Sequence, residues 1–430
     1  MSYRPEVVEG EALSPLAGYT GPPDASVGVR GLAQASVGFS DATLGRHVLF
    51  LGGIGSGKTV GMSALVDSIR ADSRPDDVFI FFDTKGDYIS AFFQDGDVSL
   101  SPEAEPAFAG TRVWNLFAEL ADVQPTKLPE VVREVVASLM DVSDDDHNRI
   151  WFAMASDVLA GLITAYVRSG KPYTNVDIRA IADRLTTEQI RAILAPHSDL
   201  RGVAQYIAKD GSNTTTSVMI FLQQALREIF AGGFRRRGDF SARSFVRAKG
   251  GRALFLEYDV ALGETATPVF RTVLDLILRE ALGRDRGPGR VIVILDEFSL
   301  LPRVAHLDAG LNFGRSLGLR FVVGTQNVGQ VLDAYGQERG TSVLSGFGTV
   351  FAFRMFDGPS RSFVRERFGM NRKVVHYDVA LKTRGLGEML VDGSVIEDWD
   401  LSALGVGECV VGLPAGPPHL FTFAPPRGLA

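Results

Sequence analysis

HVLFLGGIGSGKTVGMSALVDSIRA, His47 to Ala71, decides the fold class of this chain. HVLFL is a short apolar run, and from Lys58 to about Ala71 the residues Met62, Leu65, Val66 and Ile69 recur at helical spacing. Between them Gly52-Gly53-Ile54-Gly55-Ser56-Gly57-Lys58-Thr59 fits GxxxxGK[ST], placed after a strand and before a helix as that motif requires. VFIFF, Val78 to Phe82, is a second continuous apolar run, of the kind buried on both faces of a parallel sheet. Strand, helix and strand make a βαβ unit, so an α/β protein with a mostly parallel central sheet is expected.

The alternation continues at ALFLEY (Ala253 to Tyr258), VIVIL (Val291 to Leu295), RFVVGT (Arg320 to Thr325) and TVFAFR (Thr349 to Arg354), with helical stretches between them. GECVVGLP followed by HLFTFAP reads as an edge hairpin. From about Pro125 to Gly233 the pattern is amphipathic and helical, as in LPEVVREVVASLM and SVMIFLQQALREIF, without a convincing strand. The expected organisation is an irregular arm or sheet edge over 1–44, a nucleotide-binding domain in two parts over 45–124 and 235–430, and an all-α insertion over 125–234.

The 430 residues carry 44 basic and 51 acidic side chains, a net charge of −7. That balance argues against wholesale coating of nucleic acid, although a basic channel can coexist with an acidic exterior. A single cysteine, Cys409, cannot form an internal bridge and lies in an apolar strand, where it reads as a small buried hydrophobe. The six histidines show no zinc-binding spacing. The longest apolar run, Ile150 to Val167, has Asp157 in its middle and Arg149 at its edge, so it reads as a buried helix. The first residues, MSYRPEVVEGEALS, are acidic where a secretory signal would be basic, and a cytoplasmic location follows as the expectation.

The chemistry concentrates at the ends of the strands. Glycines let backbone N–H groups wrap a phosphate chain, and the helix behind them adds partial positive charge. Residues Gly52 through Thr59, with Val60 behind them, would hold the phosphates; Lys58 would reach the β- and γ-phosphates of ATP, and Thr59 would ligate Mg²⁺. VIVILDEF ends in Asp296-Glu297, where Asp296 would hold the Mg²⁺ hydration shell and Glu297 would act as general base on water. Gln326 ends RFVVGTQ, and a parallel neighbouring strand would bring its amide to the same edge as a γ-phosphate sensor. Two basic clusters, Arg235-Arg236-Arg237 and Arg284, Arg286 and Arg290, are candidates for lining a nucleic-acid channel.

Together GGIGSGKT, FFDTKGDY, ILDEFSLLPRVAHLDAGLNFGRSLGLRFVVGTQNVGQVLDAYG and SGFGTVFAFRMFDGPS resemble the coupling ATPases of type IV secretion and conjugation, the TraG/TraD-like members of the FtsK/HerA superfamily. The likeness spans roughly residues 45–120 and 235–415, with the helical stretch where that family carries its all-α domain. The resemblance implies a RecA-like motor domain, a homo-hexameric ring, ATP hydrolysis, and movement of DNA or a DNA–protein substrate toward a secretion channel. It places an arginine finger at Arg315 in GRSLG, reaching a neighbour's γ-phosphate. FFDTKGDY is similar to the family's DPKGE-type element, with Thr84 and Asp87 in place of Pro and Glu, which makes Asp83 and Lys85 candidates near the nucleotide. Arg354 ends a core strand near that edge and is a candidate for contact with nucleotide or with a neighbouring subunit. Family members carry N-terminal transmembrane helices that residues 1–40 cannot make, so recruitment to the inner face of the membrane by a partner, or a cytosolic HerA-like role, is the corresponding expectation. A protein-substrate secretion ATPase and a nucleotide-binding recruitment adaptor are the alternatives, and secretion-channel or relaxosome-type proteins are the partners expected at the all-α segment.

Overall fold

Val48–Leu51 is buried at every residue, because it lies between two parallel strands, Leu319–Thr325 and Thr349–Phe353, in a sheet covered on both faces. In register, Leu51 stands beside Thr325 on one side and Ala352 on the other. The computed structural model describes residues 6–103, 110–140, 148–208, 210–284, 287–300, 304–378 and 386–425. The chain divides into two compact units, one made of residues 1–74, 292–299 and 308–430 and the other of 75–291 and 300–307.

In the first unit, parallel pairing gives way to an antiparallel flank: Thr349–Phe353 pairs with Glu408–Gly412, which pairs with His419–Thr422; Ser14–Pro15 adds outermost, parallel to the last. On the other side of Leu319–Thr325 comes Val291–Leu295. Phenylalanines form a layer under the helix Lys58–Ala71: Phe50 stacks on Phe351 at 4.7 Å, and Phe423 lies 5.8 Å from Phe353. A Cβ on Gly61 would stand only 2.9 Å from the Phe423 ring, so glycine in this helix interior allows close packing.

Residues 14–39, which composition reads as an irregular arm or sheet edge, are folded. Val27–Arg30 and Ser36–Phe39 pair antiparallel, Tyr19–Thr20 adds in parallel, and Val27, Val29, Val37 and Phe39 are buried. A hairpin of Met370–Asp378 and Leu386–Ser394, extended by Glu6–Glu9, was not foreseen. Its pattern is polar, and its buried Lys373 is satisfied by Glu397 at 2.7 Å and the Ser394 carbonyl at 2.6 Å.

The second unit carries four parallel strands in the order Val78–Asp83, Arg252–Glu257, Val98–Leu100 and Thr111–Arg112. From Leu128 to Ile229 its described residues form helices and no strand. Thr174 and Thr186 start two of these helices with capping boxes, and Ser212 caps a third by accepting from the Thr215 N–H. Arg149–Arg168 is long and apolar enough to cross a membrane by length and composition, but half of its residues, Ala155 and Val158 to Tyr166, are buried against neighbouring helices.

One basic candidate is corrected here. Arg290 is 3% exposed and grips Asp77, with Nε donating to Oδ1 at 3.0 Å and Nη2 to Oδ2 at 2.6 Å. A guanidinium committed to a buried carboxylate cannot meet a phosphate backbone. Its neighbour Arg286 lies outside the described residues, while Arg284 is exposed.

His47, the residue before the central strand, shows how tightly the first unit fixes that strand's entry. It takes a left-handed φ of 62° and is 1% exposed. Nδ1 accepts from the Phe321 N–H at 3.2 Å, so Nε2 carries the proton and donates to the Leu311 carbonyl at 3.1 Å. Burial, reinforced by the charges of Arg320 and Arg315, lowers its pKa to about 4. The unfolded ring titrates near 6.5, so acid favours unfolding: the neutral ring's contribution is complete above about pH 6.5 and is lost as pH falls toward 4, on the order of 3 kcal/mol in all. Denaturant unfolding should therefore show His47→Asn taking up about one proton fewer than the parent between pH 6.5 and 4, asparagine being chosen because it tolerates this φ. Equal slopes in the two proteins would contradict a buried neutral ring.

Candidate nucleotide site

All parts of the first unit's site stand at the carboxyl ends of its central strands. The chain leaves Val48–Leu51 through Gly52, whose N–H donates to the Thr325 carbonyl at 3.3 Å. Gly53 N–H donates to the Arg354 carbonyl at 3.0 Å, and the Ser56 carbonyl accepts from Gly407 N–H at 2.9 Å. These bonds tie the loop to the two flanking strands and to the turn before Glu408–Gly412. Gly55 and Gly57 adopt φ of 70° and 95°, which side chains resist. A Cβ at Gly57 would also lie 2.7 Å from Gly407 N.

Lys58 is the first residue of the helix and is 9% exposed. Its Nζ lies 3.7 Å from Glu297 Oε2. Glu297 is itself 8% exposed and accepts from Ser299 Oγ through Oε1 at 2.8 Å. Asp296, 3% exposed, has its carbonyl 2.4 Å from where a Cβ of Gly324 would stand, so the acidic pair and the end of Leu319–Thr325 share one edge. Gln326 is half-buried at that edge. It does not cap the following helix: Asn327 does, accepting from Gln330 N–H at 2.8 Å.

The cradle suits a phosphate chain. Ser56 Oγ is buried without a hydrogen-bond partner, and the space above Gly55 is open. Thr59 is half-buried, while Ile54 and Val60 are exposed. Mg²⁺ takes oxygen donors, and Thr59 and Asp296 carry a hydroxyl and a carboxylate that fit it.

Arg315 is not at this edge. It lies in the turn Gly314–Leu317 that precedes Leu319–Thr325, exposed, with its Cγ against Gly45 at the entry to Val48–Leu51. Seven residues of parallel strand separate it from Gln326, about 20 Å. Arg354 does sit at the phosphate-loop edge, its guanidinium 5.8 Å from the Phe356 ring.

Asp83 and Lys85 belong to the second unit. Asp83 accepts from the N–H groups of Lys85 at 3.3 Å, Gly86 at 2.9 Å and Ile89 at 2.8 Å, building the turn that starts the helix Asp87–Phe92. Burial raises its pKa despite those three bonds. Lys85 is exposed. Arg235, Arg236 and Arg237 are all exposed beside the short turn Gly232–Arg235.

Three contributors were not legible in advance. Gly407 comes from a turn some 350 residues beyond the loop. Ser299 follows the acidic pair with no motif to mark it. Tyr335 stacks on Phe298 at 5.0 Å and so steadies the segment behind Glu297; only its place in the run GTQNVGQVLDAYG hinted at it.

Known proteins share this architecture. The family model for the type IV secretion-system coupling protein DNA-binding domain matches residues 31–389. The plasmid coupling protein TrwB in complex with ADP and Mg²⁺ superposes with a TM-score of 0.77 at 19% identity, covering 98% of this chain and 96% of that one. The bacterial conjugative coupling protein TrwBdeltaN70, unbound, gives 0.74 at 21% identity, covering 94% and 89%. VirB4 of Thermoanaerobacter pseudethanolicus gives 0.58 at 15% identity, covering 96% and 99%. No curated protein sequence matches. The fold is thus that of a RecA-like P-loop ATPase, and by the match over residues 31–389 the chain belongs to the family of type IV secretion-system coupling proteins, in their DNA-binding domain.

Proposed function

We propose that this protein is an ATP-hydrolysing motor subunit that works as a homo-hexameric ring and moves DNA, or a DNA–protein substrate, in conjugation or secretion. The observation that carries the reading is the polarity of the first unit: Lys58, Asp296, Glu297 and Gln326 gather at one edge of the sheet, while the exposed Arg315 stands at the opposite edge. A subunit so built has a nucleotide cradle and a finger that cannot serve its own cradle. The family match to a DNA-binding domain supports DNA as the cargo.

In this reading the loop N–H groups and Lys58 hold the β- and γ-phosphates of ATP, and Thr59 and Asp296 hold Mg²⁺, which neutralises phosphate charge when bound. Incoming phosphate competes for the Lys58 ammonium and releases Glu297 from its 3.7 Å contact. Glu297, oriented by Ser299, then accepts the proton of the water that attacks the γ-phosphorus as the bond to the β–γ bridging oxygen breaks and ADP leaves, while Gln326 positions that water. Arg315 of the next subunit would meet the charge that develops on the phosphoryl oxygens. Asp83 is assigned to its own turn, and Arg354 to holding the loop through its carbonyl. Exposed Arg235, Arg236, Arg237 and Arg284 are the proposed contacts to the DNA backbone. The helices between 125 and 234 act as the inserted all-α domain that engages partner proteins. A partner of that kind would also recruit the ring to the membrane.

Lys58→Ala is expected to weaken ATP binding by roughly 10- to 100-fold, the loss of a charge-assisted contact. Glu297→Gln should instead retain ATP and lose turnover, because only the proton acceptor is removed. Titration with a fluorescent ATP analogue beside steady-state turnover separates the two, and equal losses of affinity would remove the role given to Glu297.

Arg315→Ala should bind ATP normally and lose about 10³–10⁵ in turnover. Mixing it with Lys58→Ala chains should restore activity, since an intact loop on one subunit then faces an intact finger on the other. If labelled chains exchange and no ratio restores turnover, Arg315 is not a shared finger.

A further inference from the structure

Three largely exposed apolar side chains stand on the phosphate loop or on the segments bonded to it. Ile54, at the tip of the loop, is 87% exposed. Val406 is 68% exposed and precedes Gly407, which donates to the Ser56 carbonyl. Phe356 is 68% exposed and lies two residues after Arg354, whose carbonyl holds Gly53. The loop's own hydrogen bonds thus bring the segments that carry these three residues to the phosphate loop. At the opposite edge Phe313 is 70% exposed, two residues before Arg315. Between them Gly314 is buried, and a Cβ there would be 2.8 Å from Leu319, so the turn is pressed onto the strand and projects Phe313 and Arg315 from a fixed base.

Single exposed hydrophobics are ordinary. Here, however, each edge that a head-to-tail ring would bring together carries its own apolar element, and each stands beside a catalytic candidate. A heterologous contact joins two different surfaces of one molecule, as the placement of cradle and finger already demands. An aromatic anchor seated in an apolar collar also excludes water, which strengthens a guanidinium's action on phosphate.

We propose that Phe313 is the anchor of the contact between subunits, docking on the Ile54–Phe356–Val406 collar of a second copy of this chain and thereby setting the position of Arg315. The inference rests on the ring reading above. Phe313 is a positioning residue: it touches the neighbour, not the nucleotide.

Cysteine pairing tests it, because the chain's single thiol, Cys409, is buried. Phe313→Cys chains mixed with Phe356→Cys chains and treated with a short bismaleimide should give covalent dimers. Neither variant alone should do so, nor should Phe313→Cys mixed with Val8→Cys, Val8 being 61% exposed on the three-stranded sheet at Met370–Asp378. In parallel, Phe313→Ser should raise the concentration of half-assembly at least tenfold while binding of an ATP analogue by each chain is unchanged, and concentrating the variant should recover turnover. Arg315→Ala should still assemble. Rings by mass that lack the Phe313–Phe356 link, or an equal yield with Val8→Cys, would overturn the anchor and leave the ring standing. Turnover by protein that is monomeric at every concentration would overturn the ring, and the anchor with it.

Discussion

The site depends on a backbone loop being held in a conformation that most residues resist. Gly55 and Gly57 sit at positive φ, and the loop between them and the strand is fastened by Thr325, Arg354 and Gly407. Each fastening comes from a different strand or turn, so the cradle exists only when the central strands are in register. Fixed N–H groups bind phosphate without reorganising, and for that reason the loop must be rigid before the nucleotide arrives. Lys58 and Glu297, both nearly buried and 3.7 Å apart, are then neighbours by construction.

Parallel pairing has a further consequence. Strands that run the same way bring all their carboxyl ends to one edge, so residues far apart in sequence converge there, while whatever precedes a strand lies at the other. Asp296 and Gln326 follow their strands; Arg315 precedes one. The separation of Arg315 from the cradle within the chain thus follows from strand direction alone.

Much of this was readable from sequence because parallel strands are buried on both faces and leave unbroken apolar runs such as VFIFF and VIVIL. The phosphate loop announces itself through glycines that the backbone conformation demands. Short, half-exposed strands leave no such trace: Val27–Arg30 alternates Val with Gly and Arg, and the hairpin at Met370–Asp378 buries Lys373 through an ion pair that composition cannot reveal. Arg290 misled for a related reason, since charge in a sequence does not say whether a carboxylate waits beneath it; Asp77, more than 200 positions earlier, does. Gly407 lay beyond reach because a long-range backbone hydrogen bond carries no side-chain signature.

Under the proposed function, catalysis belongs to a ring built around DNA and not to one chain. Its most direct measurement is ATP turnover per chain as protein concentration is raised, with and without single- and double-stranded DNA, alongside particle mass at each point. Turnover should rise steeply as monomer gives way to a closed oligomer, with DNA shifting that rise to lower concentration. Full turnover at dilutions where only monomer is present, indifferent to DNA, would contradict it.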